Sequence, residues 1–190
     1  MKEYGDEEFI QLLREGLEDA RNQDIRKGSV WVGGDEVLFT EREIMKKKLW
    51  MWLPQDFRLL GQERAERKYP DENGPDIIYT NPQTTVNVTF SKQTLAGGYE
   101  KEICIFMERQ IRESYPGSSI LGIKTISAGE LQVECLGFVV PAMDARIYNQ
   151  MFFMPLDARL LIGNCNCLEQ ERDEWEEVFD QMQASIRVAS

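Results

Sequence analysis

The stretch 147-IYNQMFFMPLDARLLIGNCNCLEQERDEWEEVFDQMQASIRV-188 decides the fold. It opens with two runs rich in β-branched, aromatic and other apolar residues, RIYNQMFFM and RLLIGNC, separated by Pro155-Leu156-Asp157-Ala158. That tetrapeptide reads as a proline-led β-turn, and a connection this short requires antiparallel neighbours. Both runs hold apolar residues at successive positions, in MFFM and RLLIG, so both faces of the sheet need cover. After Cys167 the period changes. Trp175, Val178, Phe179, Met182 and Ile186 recur at spacings of three and four, which predicts a helix over 168–186 with Trp175 largely buried.

Working outward, SILGIKTIS and LQVECLGFVV form a second hairpin around Ala128-Gly129-Glu130. Upstream of it, 99–117 predicts an amphipathic helix with Ile103, Phe106, Met107 and Ile111 on one stripe, stopped by Pro116-Gly117. DIIYT and TTVNVTF are strands around Asn81-Pro82-Gln83, and the polar, Pro- and Gly-broken 61–76 is a loop. LWMWLP at 49–54 is apolar before its proline, which predicts a strand covered on both faces. SVWV and VLFT flank a Gly33-Gly34 turn, and 6–23 has helical periodicity with Phe9, Leu13, Leu17 and Ala20 aligned. Helices at the ends and middle with a strand meander between them predict an α+β fold, a mainly antiparallel sheet sandwiched between helices. The expected organisation is a single domain over 1–190, with an N-terminal helix and hairpin extension (1–45) and a core (46–188).

Composition narrows the function classes. The chain has 22 Lys+Arg against 33 Asp+Glu, a net charge of −11, and no basic stripe interleaved with aromatics. Such a surface repels phosphate backbones, so no nucleic-acid partner is expected. No run approaches the ~20 apolar residues of a membrane helix, so no stable membrane insertion is expected. MKEYGDEEFIQ has no apolar core of a secretory signal, which predicts a cytoplasmic location. The chain has no histidine, which removes Ser-His-Asp and Cys-His nucleophiles, H-E-x-x-H zinc sites and two-His-one-carboxylate iron sites.

Two stretches carry a resemblance to a known family. Trp52-Leu53-Pro54-Gln55-Asp56-Phe57 is a strand ending in proline before an aromatic, and 147–188 resembles the closing hairpin and Trp-bearing acidic helix of the PsbP-like superfamily. That group includes the Ran-binding Mog proteins, DcrB-type proteins and the Eag chaperones of type VI secretion effectors. The resemblance covers roughly 46–188 and leaves the first helix and the Gly-Ser-Val-Trp hairpin unmatched. It implies a helix/antiparallel-sheet/helix sandwich, and its motifs describe packing rather than a site.

The chemistry-bearing residues each have a plainer reading. Cys165 and Cys167 lie on one face of a strand, but zinc needs two further ligands, and Cys104 and Cys135 also sit at core-type positions. Packing as small hydrophobes is favoured, and no metal or cofactor is expected. The acids at 169–180 suit a helix N-terminus and solvation better than an acid/base pair. Asp71-Glu72-Asn73-Gly74 with Asp76 lacks EF-hand spacing and reads as a polar turn. The sequon Asn87-Val88-Thr89 falls in a strand and is discounted.

The partner-binding candidates are Trp31, Trp50, Trp52 and the run Met151, Phe152, Phe153 and Met154. Aromatics and methionines dominate adaptable interfaces. Core packing competes for them, most strongly for Trp50 and Trp52, while Trp31 is the one expected to be exposed. The expected function is a non-enzymatic protein-interaction module, an adaptor or chaperone for a secreted or membrane-targeted protein. The alternative is a small-ligand-binding protein of the same fold.

Overall fold

The computed structural model describes residues 10–11, 23–61, 63–65 and 74–189. The helix expected over 6–23 and the loop expected over 61–76, with its acidic turn, lie largely outside the described residues. Strands β4 (Arg58–Leu59), β5 (Ile77–Thr80), β6 (Asn87–Ala96), β7 (Ser119–Ala128), β8 (Leu131–Pro141), β9 (Arg146–Leu156) and β10 (Arg159–Leu168) form one sheet. Its order is β4-β5-β6-β10-β9-β8-β7, and every pairing is antiparallel. A smaller sheet has the order β1-β2-β3-β11, from Ser29–Val32, Asp35–Met45, Leu49–Pro54 and Arg187–Val188. Helices α1 (Glu100–Ser114) and α2 (Arg172–Ala184) complete a mostly antiparallel α+β fold.

Strand period two sorts the central side chains into two clusters. Val133, Cys135, Tyr148, Phe152, Met154, Leu161, Cys165 and Cys167 join Trp175, Val178, Phe179 and Met182 of α2 and Leu49, Met51 and Leu53 of β3. Their neighbours one residue along, Leu136, Phe138, Phe153 and Leu160, join Cys104 and Ile111 of α1. So α1 packs with one set, and α2 together with the small sheet packs with the other. Trp175 is 8% exposed, as its place on the stripe predicts.

Three local expectations need correction. LWMWLP alternates: Leu49, Met51 and Leu53 are fully buried, whereas Trp50 and Trp52 are half-buried on the other face. Phe106 is 54% exposed, because it lies about 200° round the helix from Cys104 and so points away from the sheet. Finally, β9 runs through Pro155 to Leu156, and the turn is Asp157-Ala158, with φ of 53° and 59°. Two left-handed residues make a two-residue hairpin turn of the primed kind, whose twist matches that of the flanking strands.

The four cysteines are all buried thiols. Among the described residues no group of three or more His, Cys, Asp or Glu side chains is placed to hold a metal ion. Asn87 is 3% exposed and donates to Asn166 Oδ1 at 2.8 Å across the β6–β10 pair, so the folded chain does not present that sequon.

Candidate interaction cleft

Of the expected partner-binding residues, Phe152, Phe153 and Met154 are 0% exposed and Met151 is half-buried against the α1 cluster. They are core on the two faces of β9 and offer no interaction surface. Trp50 is covered by the Arg187 guanidinium, 4.3 Å above its ring, and Arg187 also binds Glu41 at 3.1 Å. Trp52 donates its backbone N–H to Ser185 Oγ at 2.9 Å and lines a shallow cavity with Arg187 and the Ala128-Gly129-Glu130 turn. Trp31 stands apart at 63% exposure. It pairs with Glu36 across the β1–β2 hairpin, and Leu38, 50% exposed, is its diagonal neighbour on the same face.

That hairpin forms one wall of a cleft of about 750 Å³ that is open to solvent. Segments distant in sequence meet there. The hairpin contributes Val32, Asp35, Glu36, Val37 and Leu38, and the turn after β3 contributes Asp56 and Phe57. The β5–β6 turn contributes Asn81 and Val86, and the chain around the start of α2 contributes Glu171, Glu174 and Trp175.

Each wall is fixed locally. Gly33 and Gly34 turn the hairpin with φ of 60° and 87°. A Cβ on Gly33 would lie 2.6 Å from Glu174 Oε2, so glycine lets the hairpin tip rest on the first turn of α2. Below it, Ile25 N–H donates to Gln181 Oε1 at 3.0 Å and Arg26 donates to the Ala184 carbonyl at 2.8 Å. Asn81 Oδ1 accepts from the backbone N–H groups of Thr85 and Val86 at 2.9 and 3.1 Å, which pins the β5–β6 turn. The Gln55 N–H donates to the Leu38 carbonyl at 2.8 Å, tying the turn after β3 to the hairpin.

The floor is aromatic. Phe57 and Trp175 meet at 6.1 Å between ring centroids, Trp175 stacks on Phe179 at 5.6 Å, and Phe179 on Tyr148 at 6.3 Å. A column of four rings thus carries the cleft floor into the core, and such pairs contribute ~0.5–1.5 kcal/mol each beyond area burial. The rim is acidic. Asp35, Glu36, Asp56, Glu171 and Glu174 line the cleft, and among the described residues no Lys or Arg does.

Sequence reading picked out Trp31 and missed the rest. Asp35-Glu36 follow a Gly-rich turn, Asp56 stands in the motif of a strand ending in proline before an aromatic, and Glu171 and Glu174 suit a helix start. The available signal was repetition, with acids at three separate chain turns, two of them beside an aromatic.

Buried thiols supply no nucleophile. Loss of hydration pushes Cys104 up to about 12, with Glu134 and Glu108 adding to the effect. Burial also pushes Cys165 up to about 12, against a lowering contribution from the Gln183 hydrogen bond, and it raises Cys135 and Cys167 as well.

No protein-family model matches the sequence. No curated protein matches it. Among the solved structures that resemble it are two that cover most of its length. Cyanobacterial PsbP (CyanoP) from Synechocystis superposes with a TM-score of 0.59 at 11% identity, covering 82% of this chain and 95% of that one. LpqN of Mycobacterium tuberculosis, a protein involved in cell envelope biogenesis, superposes with a TM-score of 0.51 at 15% identity, covering 89% and 99%. At such identities the likeness is one of architecture: the chain has the PsbP-like fold.

Proposed function

We propose that the chain is a non-enzymatic protein-interaction module that engages its partner through the cleft and the outer face of the β1–β2 hairpin. The observation that carries this reading is Trp31, 63% exposed on a hairpin whose other residues line an open, aromatic-floored cleft. An exposed tryptophan beside a preformed groove is the arrangement of an interface anchor. An open cleft also suits a macromolecular partner better than a small ligand, which favours enclosed, convergent pockets. The finer reading, an adaptor or chaperone for a secreted or membrane-targeted protein, rests on fold resemblance alone.

The test is partner capture by immobilised wild-type chain, Trp31→Ala and Trp50→Ala. Trp31→Ala should weaken capture of the specific partner by ~2 kcal/mol or more, the scale of an interface hot spot, with an unchanged melting temperature. Trp50→Ala should leave capture intact. Equal capture by wild type and Trp31→Ala would remove the basis of the proposal.

A further inference from the structure

We infer that the cleft takes a cationic segment of a partner protein, one carrying Lys or Arg beside an apolar anchor; this rests on the interaction-module reading. Several described carboxylates outside the cleft are ion-paired: Asp180 binds Lys124 at 2.6 Å, Glu169 binds Arg146 at 2.6 Å, Glu176 binds Arg172 at 2.9 Å, and Asp157 binds Lys48 and Lys92 at 2.5 and 2.9 Å. In the cleft, Asp35, Glu36, Asp56, Glu171 and Glu174 make no ion pair with any described residue. Like charges converging on an apolar wall focus a negative potential, because the low-dielectric floor screens them poorly. An incoming cation relieves that repulsion.

The class of cation follows from the remaining geometry. A metal ion is disfavoured, since no described group of three or more acidic or thiol side chains is arranged to hold one. A nucleic acid or phosphate has the wrong sign. Leu38, 50% exposed, and the half-buried Val37 on the hairpin wall, above the buried Phe57 and Trp175, offer apolar contact that a lone ammonium ion would not use. Long basic side chains lay their methylene stems on apolar surface while their charged ends reach the acidic rim. A volume of about 750 Å³ accommodates several side chains. The fitting occupant is therefore a basic, apolar-anchored polypeptide segment.

The probes are two synthetic amphipathic peptides of about ten residues, one built of Lys and Leu, the other with Glu replacing each Lys. Titration is followed by the tryptophan indole N–H resonances of the full-length chain. The Lys/Leu peptide should move the Trp175 and Trp31 signals and leave those of Trp50 and Trp52 in place. Its affinity should fall about tenfold between low and near-molar salt, as the Debye length shrinks from tens of ångströms to about 3 Å. Glu36→Lys with Asp56→Lys should weaken it about tenfold or more, and the neutral pair Glu36→Gln with Asp56→Asn by less. Both positions are exposed, and an unchanged near-ultraviolet circular dichroism spectrum confirms folding. Equal binding of the Glu/Leu peptide, movement confined to Trp50 and Trp52, or no movement at millimolar peptide would overturn the inference. If the Lys/Leu peptide fails while native-partner capture still depends on Trp31, the module reading stands and the cationic occupant falls. If both fail, the module reading falls too.

Discussion

Gly163 pairs with Phe152 in the β9–β10 ladder, and a Cβ built on it would lie 1.9 Å from the Phe152 ring. That ring is fully buried and packs edge-on against Phe90 at 5.9 Å, so it has no room to retreat. In an unconstrained strand Gly→Ala gains ~0.5–1 kcal/mol, but here overpacking dominates. Gly163→Ala should destabilise the chain by ~2–3 kcal/mol, read as a lower urea midpoint. A stabilised variant would contradict the register. The thiols give a second prediction at this scale. Each holds its proton more tightly folded than at the ordinary value of 9.0, and Cys104 and Cys165 titrate near 12. Their contribution is therefore complete below about pH 9 and is lost as pH rises toward 12. The urea midpoint should fall over that window, and Cys104→Ala should show a shallower fall. An identical slope in the variant would show that Cys104 is not protected. Sequence alone suggested buried thiols from their apolar neighbours, but not the ring over Gly163. The expected Pro155–Ala158 turn would have set Gly163 opposite Gln150; the actual Asp157-Ala158 turn shifts the pairing by two residues. A shift of two keeps every side chain on its face, which is why the core was legible although the pairing was not.

Helix α2 is joined to the sheet by a buried polar network as well as by its apolar stripe. Gln150 and Gln183 are both 0% exposed. Gln150 Oε1 accepts from the Tyr148 hydroxyl at 2.9 Å, and its Nε2 donates to Asp180 Oδ1 at 2.5 Å and to Gln183 Oε1 at 3.3 Å. Gln183 Oε1 also accepts from Cys135 Sγ at 2.8 Å, while Lys124 holds Asp180 from β7. Gln150→Leu should cost ~1–3 kcal/mol, because it leaves the Tyr148 hydroxyl buried without that partner. Adding Tyr148→Phe should recover part of the loss, since removing both partners removes the orphaned group. Chemical denaturation of the two single variants and the double variant measures this, and additive losses would refute the coupling. The helix itself was legible from Trp175, Val178, Phe179 and Met182; its polar anchors were not. Gln and Asp in a helix read as surface until the strand opposite is known. The same limit explains β3, where Arg187 of the neighbouring strand β11 lays its guanidinium over Trp50 on the outer face.

At the scale of the molecule, the acidic excess is not spread evenly in its consequences. Three described ion pairs join separate elements of the fold, Lys124–Asp180, Arg146–Glu169 and Arg187–Glu41, while the cleft gathers carboxylates from the hairpin, the turn after β3 and the approach to α2. No periodicity in one dimension reports that convergence, because it depends on the hairpin tip lying on α2 through Gly33. The fold class, by contrast, follows from short turns and strand period, which are local. The measurement that bears most directly on the cleft as the working surface is amide hydrogen exchange of the full-length chain, alone and with its captured partner. Protection should appear in residues 31–38, 55–57, 81–86 and 171–175, the hairpin and the other walls of the cleft, with α1 and the β7 edge unchanged. Protection confined to α1 or β7, with those walls exchanging as in the free chain, would contradict the account.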